Sequence, residues 1–151
     1  MADIYPFARP LYVMAKAAGP QCNLRCRYCY YTEKQNLFAG GSCGMSREML
    51  EQFVQRYIEV QQMPDIQFTW HGGEPLLRPL SFYRDAVRFQ LYYGRGKRIC
   101  NCLQTNGLLL TPEWCRFLAQ EQWLVGLSID GTQAMHDAYR LMQPAVALGN
   151  V

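Results

Sequence analysis

Residues 66–75 read Ile66-Gln67-Phe68-Thr69-Trp70-His71-Gly72-Gly73-Glu74-Pro75. The first five are β-prone and read as a strand, which runs directly into a glycine pair, an acid and a proline. The same order of events repeats on both sides of this stretch. Upstream, Leu11-Tyr12-Val13-Met14-Ala15 is a short apolar, β-prone run ending near Gly19-Pro20. Residues Cys22 to Tyr31 follow, and then a loop with Gly40, Gly41 and Gly44. Ser46 suits a helix N-cap, and Met49, Leu50, Phe53, Val54, Tyr57 and Ile58 recur at the 3.6-residue period of one helical face. Pro64 closes that segment. Downstream, a helix over about 81–92 places Phe82, Ala86 and Phe89 on one side before Gly94 and Gly96 break it. Residues 98–104 form the third strand, turned by Thr105-Asn106-Gly107. Thr111-Pro112-Glu113 combines an N-cap residue, a proline at the first helical position and an acid at the positive end of the dipole. Trp114, Phe117 and Leu118 supply that helix with its apolar face. Residues 123–129 form the fourth strand, which ends at Asp130-Gly131.

Strands and helices alternating through short connections predict parallel βαβ units with right-handed crossovers. In such folds ligands meet the carboxyl ends of the strands. Four unusual clusters fall at those ends: Cys22 to Cys29, His71 to Pro75, Gln104 to Gly107 and Ser128 to Gly131.

Composition sets the outer limits. A chain of 151 residues, 50% hydrophobic and 18% charged, has single-domain size and builds a packed core. A net charge of +3 is too small to argue for nucleic acid or an anionic membrane. No run reaches the ~18 apolar residues of a membrane span. Residues 1–10 carry Asp3 and two prolines without an apolar core, so no signal peptide is expected and the compartment is read as cytoplasmic. Seven cysteines in a reducing compartment point to metal or redox chemistry rather than to disulfides.

Cys22, Cys26 and Cys29 form a C-x3-C-x2-C pattern. Three thiolates on one tight loop suit three irons of a four-iron four-sulfur cluster. The missing fourth protein ligand leaves one iron open, much as catalytic zinc sites keep an open position. A zinc site completed by Cys43 or His71 is the alternative, weakened by the lack of a second cysteine knuckle. Three unrelated buried thiols are the plainest alternative.

The stretch Cys22-Asn23-Leu24-Arg25-Cys26-Arg27-Tyr28-Cys29-Tyr30-Tyr31 resembles the signature of radical S-adenosylmethionine (SAM) enzymes. Thr69 to Leu76, Leu103 to Gly107, Val125 to Gly131 and His136 to Arg140 resemble further motifs of one subfamily, the anaerobic sulfatase-maturating enzymes, in the same order. The similarity covers about residues 10–140. It implies the N-terminal part, about four βα units, of a partial (β/α)6 radical SAM barrel. It also implies one 4Fe-4S cluster on Cys22, Cys26 and Cys29, with S-adenosyl-L-methionine chelated by the open iron. Electron transfer from the cluster would cleave the sulfonium, and the resulting radical would take hydrogen from a sulfatase polypeptide, oxidising Cys or Ser to formylglycine. A reducing partner such as flavodoxin or ferredoxin belongs to that scheme.

By the same resemblance Tyr28 faces the adenine, and Gly72, Gly73 and Glu74 offer backbone groups to the methionine ammonium, since glycine lets a backbone approach a ligand closely. Ser128 and Arg140 contact the ribose and carboxylate; an arginine can hold a carboxylate bidentately. Gln104, Thr105 and Asn106 orient the substrate peptide. Each has an ordinary alternative: a packed tyrosine, a turn, a small strand residue, a solvated helix residue and an Asn-Gly turn pair. No residue is assigned as catalytic acid or base. His71 reads as a packed or supporting residue and Asp130-Gly131 as a turn. Cys43, Cys100, Cys102 and Cys115 read as buried reduced thiols, and the basic residues from Arg84 to Arg98 as a solvated face.

The resemblance also implies features that residues 141–151 do not supply: a fifth and a sixth strand, further cluster cysteines and the acidic residue used as base. The expectation is therefore a core portion over 1–140, a divergent tail over 141–151, no auxiliary-cluster domain and an apparently truncated member. The fourth strand would be an apolar edge and Arg140 loosely held. A non-catalytic iron–sulfur or metal-binding relic, or a partner subunit, is the competing functional reading, and a plain zinc-binding module the third.

Overall fold

The computed structural model of the protein describes residues 10–34, 37 and 43–142. Gly40, Gly41 and nearly all of the tail lie outside them. Four parallel strands form one sheet in the order β1 (Met14–Ala15), β2 (Asp65–Trp70), β3 (Arg98–Thr105) and β4 (Leu124–Leu127). Between and after them run α1 (Tyr31–Lys34), α2 (Arg47–Val60), α3 (Leu80–Gly94), α4 (Pro112–Gln120) and α5 (Gln133–Tyr139), with a 3-10 turn at Pro75–Leu77. This is the expected parallel α/β arrangement.

The helix starts follow from their caps. The Ser46 and Thr111 side chains accept hydrogen bonds from Met49 N and Trp114 N, satisfying backbone donors that an α-helix leaves free. Thr132 does the same for Met135 N and starts α5, a helix the apolar pattern does not reveal because it buries no side chain. In α2 the buried stripe is Leu50, Val54, Tyr57 and Ile58, whereas Met49, expected on it, is exposed.

One face of the sheet is the core. Ile66, Phe68 and Trp70 of β2 and Leu103 of β3 pack against Phe82, Tyr83, Ala86 and Phe89 of α3 and Trp114, Phe117 and Leu118 of α4. Trp70 sits at its centre, stacked 6.1 Å from Trp123 and edge-on to Tyr83 at 5.5 Å. The alternate residues, including Cys100 and Cys102, lie on the other face, as the period of two requires. Cys100 and Cys115, expected among buried thiols, are both exposed, because β3 turns Cys100 away from the helices and Cys115 lies off the buried stripe of α4.

Two strands are shorter than expected. Leu11 lies outside the β1 ladder because side chains take its backbone: Gln61 Nε2 and Tyr57 Oη donate to Leu11 O at 2.6 and 2.8 Å, and Leu11 N donates to Gln61 Oε1. β4 ends at Leu127, and Leu124, Leu127 and Ile129 are exposed, as expected for an apolar edge.

The core contains a closed polar network. Trp70 Nε1 and Gln90 Nε2 both donate to Asn101 Oδ1 at 2.9 Å, and Asn101 Nδ2 returns a bond to Gln90 Oε1 at 2.8 Å. All three residues are buried. Replacing Asn101 with leucine strands the Trp70 and Gln90 groups and is expected to destabilise the fold by about 3 kcal/mol in urea unfolding. Asn101→Leu combined with Gln90→Leu removes one of the stranded partners as well and is expected to recover part of that loss.

Candidate functional site

The site is built where β1, β2 and β3 end. The chain leaving β1 passes Gly19-Pro20 and folds into a loop carrying Cys22, Cys26 and Cys29. Within it Cys29 N donates to Cys26 O at 3.0 Å and Thr32 N to Cys29 O at 3.1 Å. Leu24 N donates to Cys22 Sγ at 3.3 Å.

The turn after β2 fixes this loop from one side. Gly72 and Gly73 have φ of +87° and +40°. A Cβ on Gly73 would lie 1.9 Å from Gln21 O, and one on Gly72 2.3 Å from Lys16 Cδ. Glycine at position 73 is therefore needed for the close approach of the chain entering the cysteine loop, sealed by Glu74 N donating to Gln21 O at 2.7 Å. The Glu74 side chain is buried and accepts from Leu76 N, Thr105 Oγ1 and Asn106 N at 2.9, 2.7 and 2.9 Å. Burial pushes its pKa up, against those three donors. Its carboxylate thus ties the β2 turn to the end of β3.

Asn106 completes that link. Its Nδ2 donates to Asn23 Oδ1 at 2.8 Å and lies 3.8 Å from Cys22 Sγ, while its Oδ1 accepts from Leu108 N in a turn. The turn chemistry of Asn106 and a place beside the cysteines occur together. On β3, Gln104 Nε2 donates to Ser128 Oγ at 2.9 Å, one residue past β4.

The segment following α5 fixes the loop from the other side. Arg25 N and Arg27 N donate to Leu141 O and Tyr139 O at 2.7 and 2.9 Å, and Leu24 forms an antiparallel bridge with Met142. Arg140, expected to be loosely held, is instead tied on both sides by this pairing. Its side chain, 13% exposed, makes a bidentate contact with Asp130 at 2.9 and 3.0 Å.

Together these elements enclose a cleft of about 240 Å³. Cys22, Cys26, Cys29, Tyr28, Gly73, Glu74, Gln104, Thr105, Asn106, Ser128 and Arg140 all line it. Of the residues selected from sequence, Gly72 alone does not. His71 lines it too, with Nδ1 accepting from Gly72 N and within 3.3 Å of Lys16 Nζ. Burial and Lys16 hold the His71 pKa below its ordinary value. Asn23, the role of Asp130 beyond a turn, and the pairing of 139–142 with the cysteine loop are not evident from the sequence. Asp130, a carboxylate two residues beyond Ser128 at a strand end, carried a usable signal; the pairing carried none.

The donor set is three cysteine thiols, Cys22, Cys26 and Cys29, opening into one cleft that no fourth cysteine among the described residues lines, and it fits three irons of an iron–sulfur cluster with the fourth left open. Cys43, one considered zinc ligand, points its Sγ at Ala18 O, 3.7 Å away, and does not line the cleft. Burial pushes the Cys22 thiol up to about 11, with the charges of Glu74, Cys26 and Cys29 adding and the Leu24 N–H opposing. Burial also pushes Cys26 up, and Arg140 opposes it. Loading the thiolates with metal therefore releases protons. In the metal-free folded chain at pH 8, Cys22 is expected to alkylate about tenfold more slowly than in the unfolded chain, because its smaller thiolate fraction outweighs the greater nucleophilicity of a more basic thiolate. Peptide mass mapping of Cys22 with and without urea checks this.

A family model described as the radical SAM superfamily matches residues 18–143. The chain is 58% identical over 136 residues to the serine-type anaerobic sulfatase-maturating enzyme of Bacteroides thetaiotaomicron, covering 89% of this chain and 33% of that one. It is 42% identical over 134 residues to the serine-type enzyme of Klebsiella pneumoniae, covering 87% and 33%. Identity to the cysteine-type enzyme of Clostridium perfringens is 36% over 133 residues, covering 87% and 36%. The chain thus spans about a third of the length of these curated relatives. A solved structure described as native anSMEcpe with bound AdoMet matches with a TM-score of 0.76 at 36% identity, covering 84% of this chain and 35% of that chain. A second, with bound AdoMet and the Cp18Cys peptide, gives 0.74 over 83% and 33%.

Proposed function

Because this chain belongs to the radical SAM superfamily, we propose that its cleft is the cofactor site of an oxidoreductase of the sulfatase-maturating type. Enzymes of the superfamily use a four-iron four-sulfur cluster and S-adenosylmethionine, which together supply one-electron cleavage of a sulfonium and hydrogen abstraction. Cys22, Cys26 and Cys29 would hold the cluster. Tyr28, the Gly72-Gly73-Glu74 backbone, Ser128 and Arg140 would hold the nucleoside and amino-acid parts of SAM. The Gly72-Gly73 turn keeps the cysteine loop close to β2, and Asn106 and Glu74 lock the polar ends of β3 beside it. Gln104, Thr105 and Asn106 would orient a sulfatase peptide whose serine or cysteine is oxidised to formylglycine. The relatives named as serine-type and cysteine-type enzymes support that substrate class.

The observation that carries the proposal is convergence. Residues chosen from four separate sequence clusters open into one cleft at the carboxyl ends of parallel strands. Residues 1–140 would form the N-terminal portion of the core and 141–151 a divergent tail. A flavodoxin- or ferredoxin-like donor would supply the electron. The cytoplasm is the proposed compartment, on the cysteine-rich sequence and its C-x3-C-x2-C pattern, which suit metal or redox chemistry in a reducing setting. Among the described residues no helix is long and apolar enough to cross a membrane.

The second reading, a cluster-binding unit without turnover, is favoured by the exposure, among the described residues, of Met14, Cys100 and Leu124 on one face of the sheet. Anaerobic reconstitution with iron and sulfide, followed by assay for 5′-deoxyadenosine, separates the two. Formation of that product supports the enzyme, and a full cluster without it supports the binding unit.

A further inference from the structure

Asp130 lies just past β4, where the sequence suggests only a turn. It does not itself line the cleft, yet it joins two residues that do. Its carboxylate accepts from the Tyr28 hydroxyl at 2.5 Å, from Arg140 Nε at 2.9 Å and from Arg140 Nη2 at 3.0 Å. The Arg140 guanidinium carbon stands 5.7 Å from the centre of the Tyr28 ring, so the triangle is closed. One carboxylate therefore links the cysteine loop, the end of β4 and the residue following α5.

The geometry has a direct consequence for Arg140. Two parallel N–H bonds fix the plane of a guanidinium, and Nε and Nη2 are both taken by Asp130. Without that carboxylate Arg140 is free to turn toward the cysteine thiolates, whose Cys26 already feels its charge. Tyr28, 57% exposed, has little packing to hold it once its hydroxyl loses its acceptor.

We propose that Asp130 is a positioning residue that aims Tyr28 and Arg140 into the cleft and so sets its affinity for S-adenosylmethionine, without holding the cluster. The assignment rests on the cofactor-site reading of the cleft given above. It acts at one remove, as hydrogen-bond partners behind metal and ligand contacts commonly do, with effects of about 10–100-fold.

The test is SAM titration of anaerobically reconstituted protein, followed by the change that SAM causes in the electron paramagnetic resonance spectrum of the reduced cluster. Iron and sulfide are measured on the same samples. Asp130→Ala is expected to weaken SAM binding about tenfold or more with iron and sulfide unchanged. Asp130→Asn keeps one acceptor and is expected to fall between it and the wild type. Tyr28→Phe removes one of the three bonds, so adding it to Asp130→Ala is expected to cost less than it does alone. Equal or tighter SAM binding by Asp130→Ala overturns the assignment and leaves the cofactor-site reading standing. Loss of the cluster in the isosteric Asp130→Asn also overturns it, making Asp130 a scaffold of the cysteine loop. A wild-type protein that holds the cluster and binds no SAM overturns the underlying reading, and the assignment with it.

Discussion

Protein carrying Cys26→Ala, reconstituted anaerobically with iron and sulfide, is expected to retain almost no four-iron cluster and no measurable SAM binding. Cys115→Ala is expected to match the wild type in both. The contrast follows from position. Cys26 is 9% exposed, lines the cleft, and its carbonyl accepts the Cys29 N–H that shapes the loop. With only Cys22 and Cys29 left, two irons of the cluster lack protein thiolates, and the cluster opens to solvent and chelators. Cys115 is exposed on α4, away from the cleft. Iron and acid-labile sulfide per chain are the readout. Equal loading of the two variants would contradict the ligand assignment.

The second large effect is on the scaffold. Gly73→Ala is expected to destabilise the fold by about 3–5 kcal/mol, at the upper end of single substitutions. Its Cβ would lie 1.9 Å from Gln21 O and 2.7 Å from Gln21 C, and both are backbone atoms that cannot swing aside. Relieving that contact moves the cysteine loop away from β2 and breaks the bond from Glu74 N to Gln21 O. The positive φ adds about 1–2 kcal/mol for any residue with a Cβ. Gly96→Ala isolates this smaller contribution, since φ is +84° there and nothing lies within 4 Å of the added methyl. Urea unfolding of the two variants compares them directly. A Gly73→Ala no less stable than Gly96→Ala would mean that the turn does not clamp the cysteine loop.

Much of this was legible in the residue order because the fold repeats one local event. Each strand is followed by a small or polar cluster and then a helix, and the caps at Ser46 and Thr111 appear in the structure as read. The cysteine spacing and the three polar strand ends were legible for the same reason, since parallel topology sends all of them to one side. What the residue order hid depends on contacts distant along the chain. The Gly72-Gly73 turn is read as a place for a ligand; its second use, the close approach of Gln21 O to Gly73, depends on folding to bring the two together. Arg140 was read as loosely held, but Tyr139 and Leu141 pair with Arg27 and Arg25 more than a hundred residues earlier. Met49 was placed on the α2 face yet is exposed, because it sits about 100° of helical rotation from Leu50, off the side that Leu50, Val54, Tyr57 and Ile58 bury. Asp130 looked like half of a turn, and Gly131 does have a φ of +72°; its second use needed Tyr28 and Arg140 to be in place.

The central claim is that three thiolates of one loop hold an iron–sulfur cluster with one metal position left for SAM. The most direct measurement is the electron paramagnetic resonance spectrum of the anaerobically reconstituted, reduced wild-type protein before and after SAM is added. A cluster signal that SAM reshapes, at concentrations where methionine alone does not, is the predicted result. A cluster signal indifferent to SAM, or protein that binds zinc and assembles no cluster, would contradict the account.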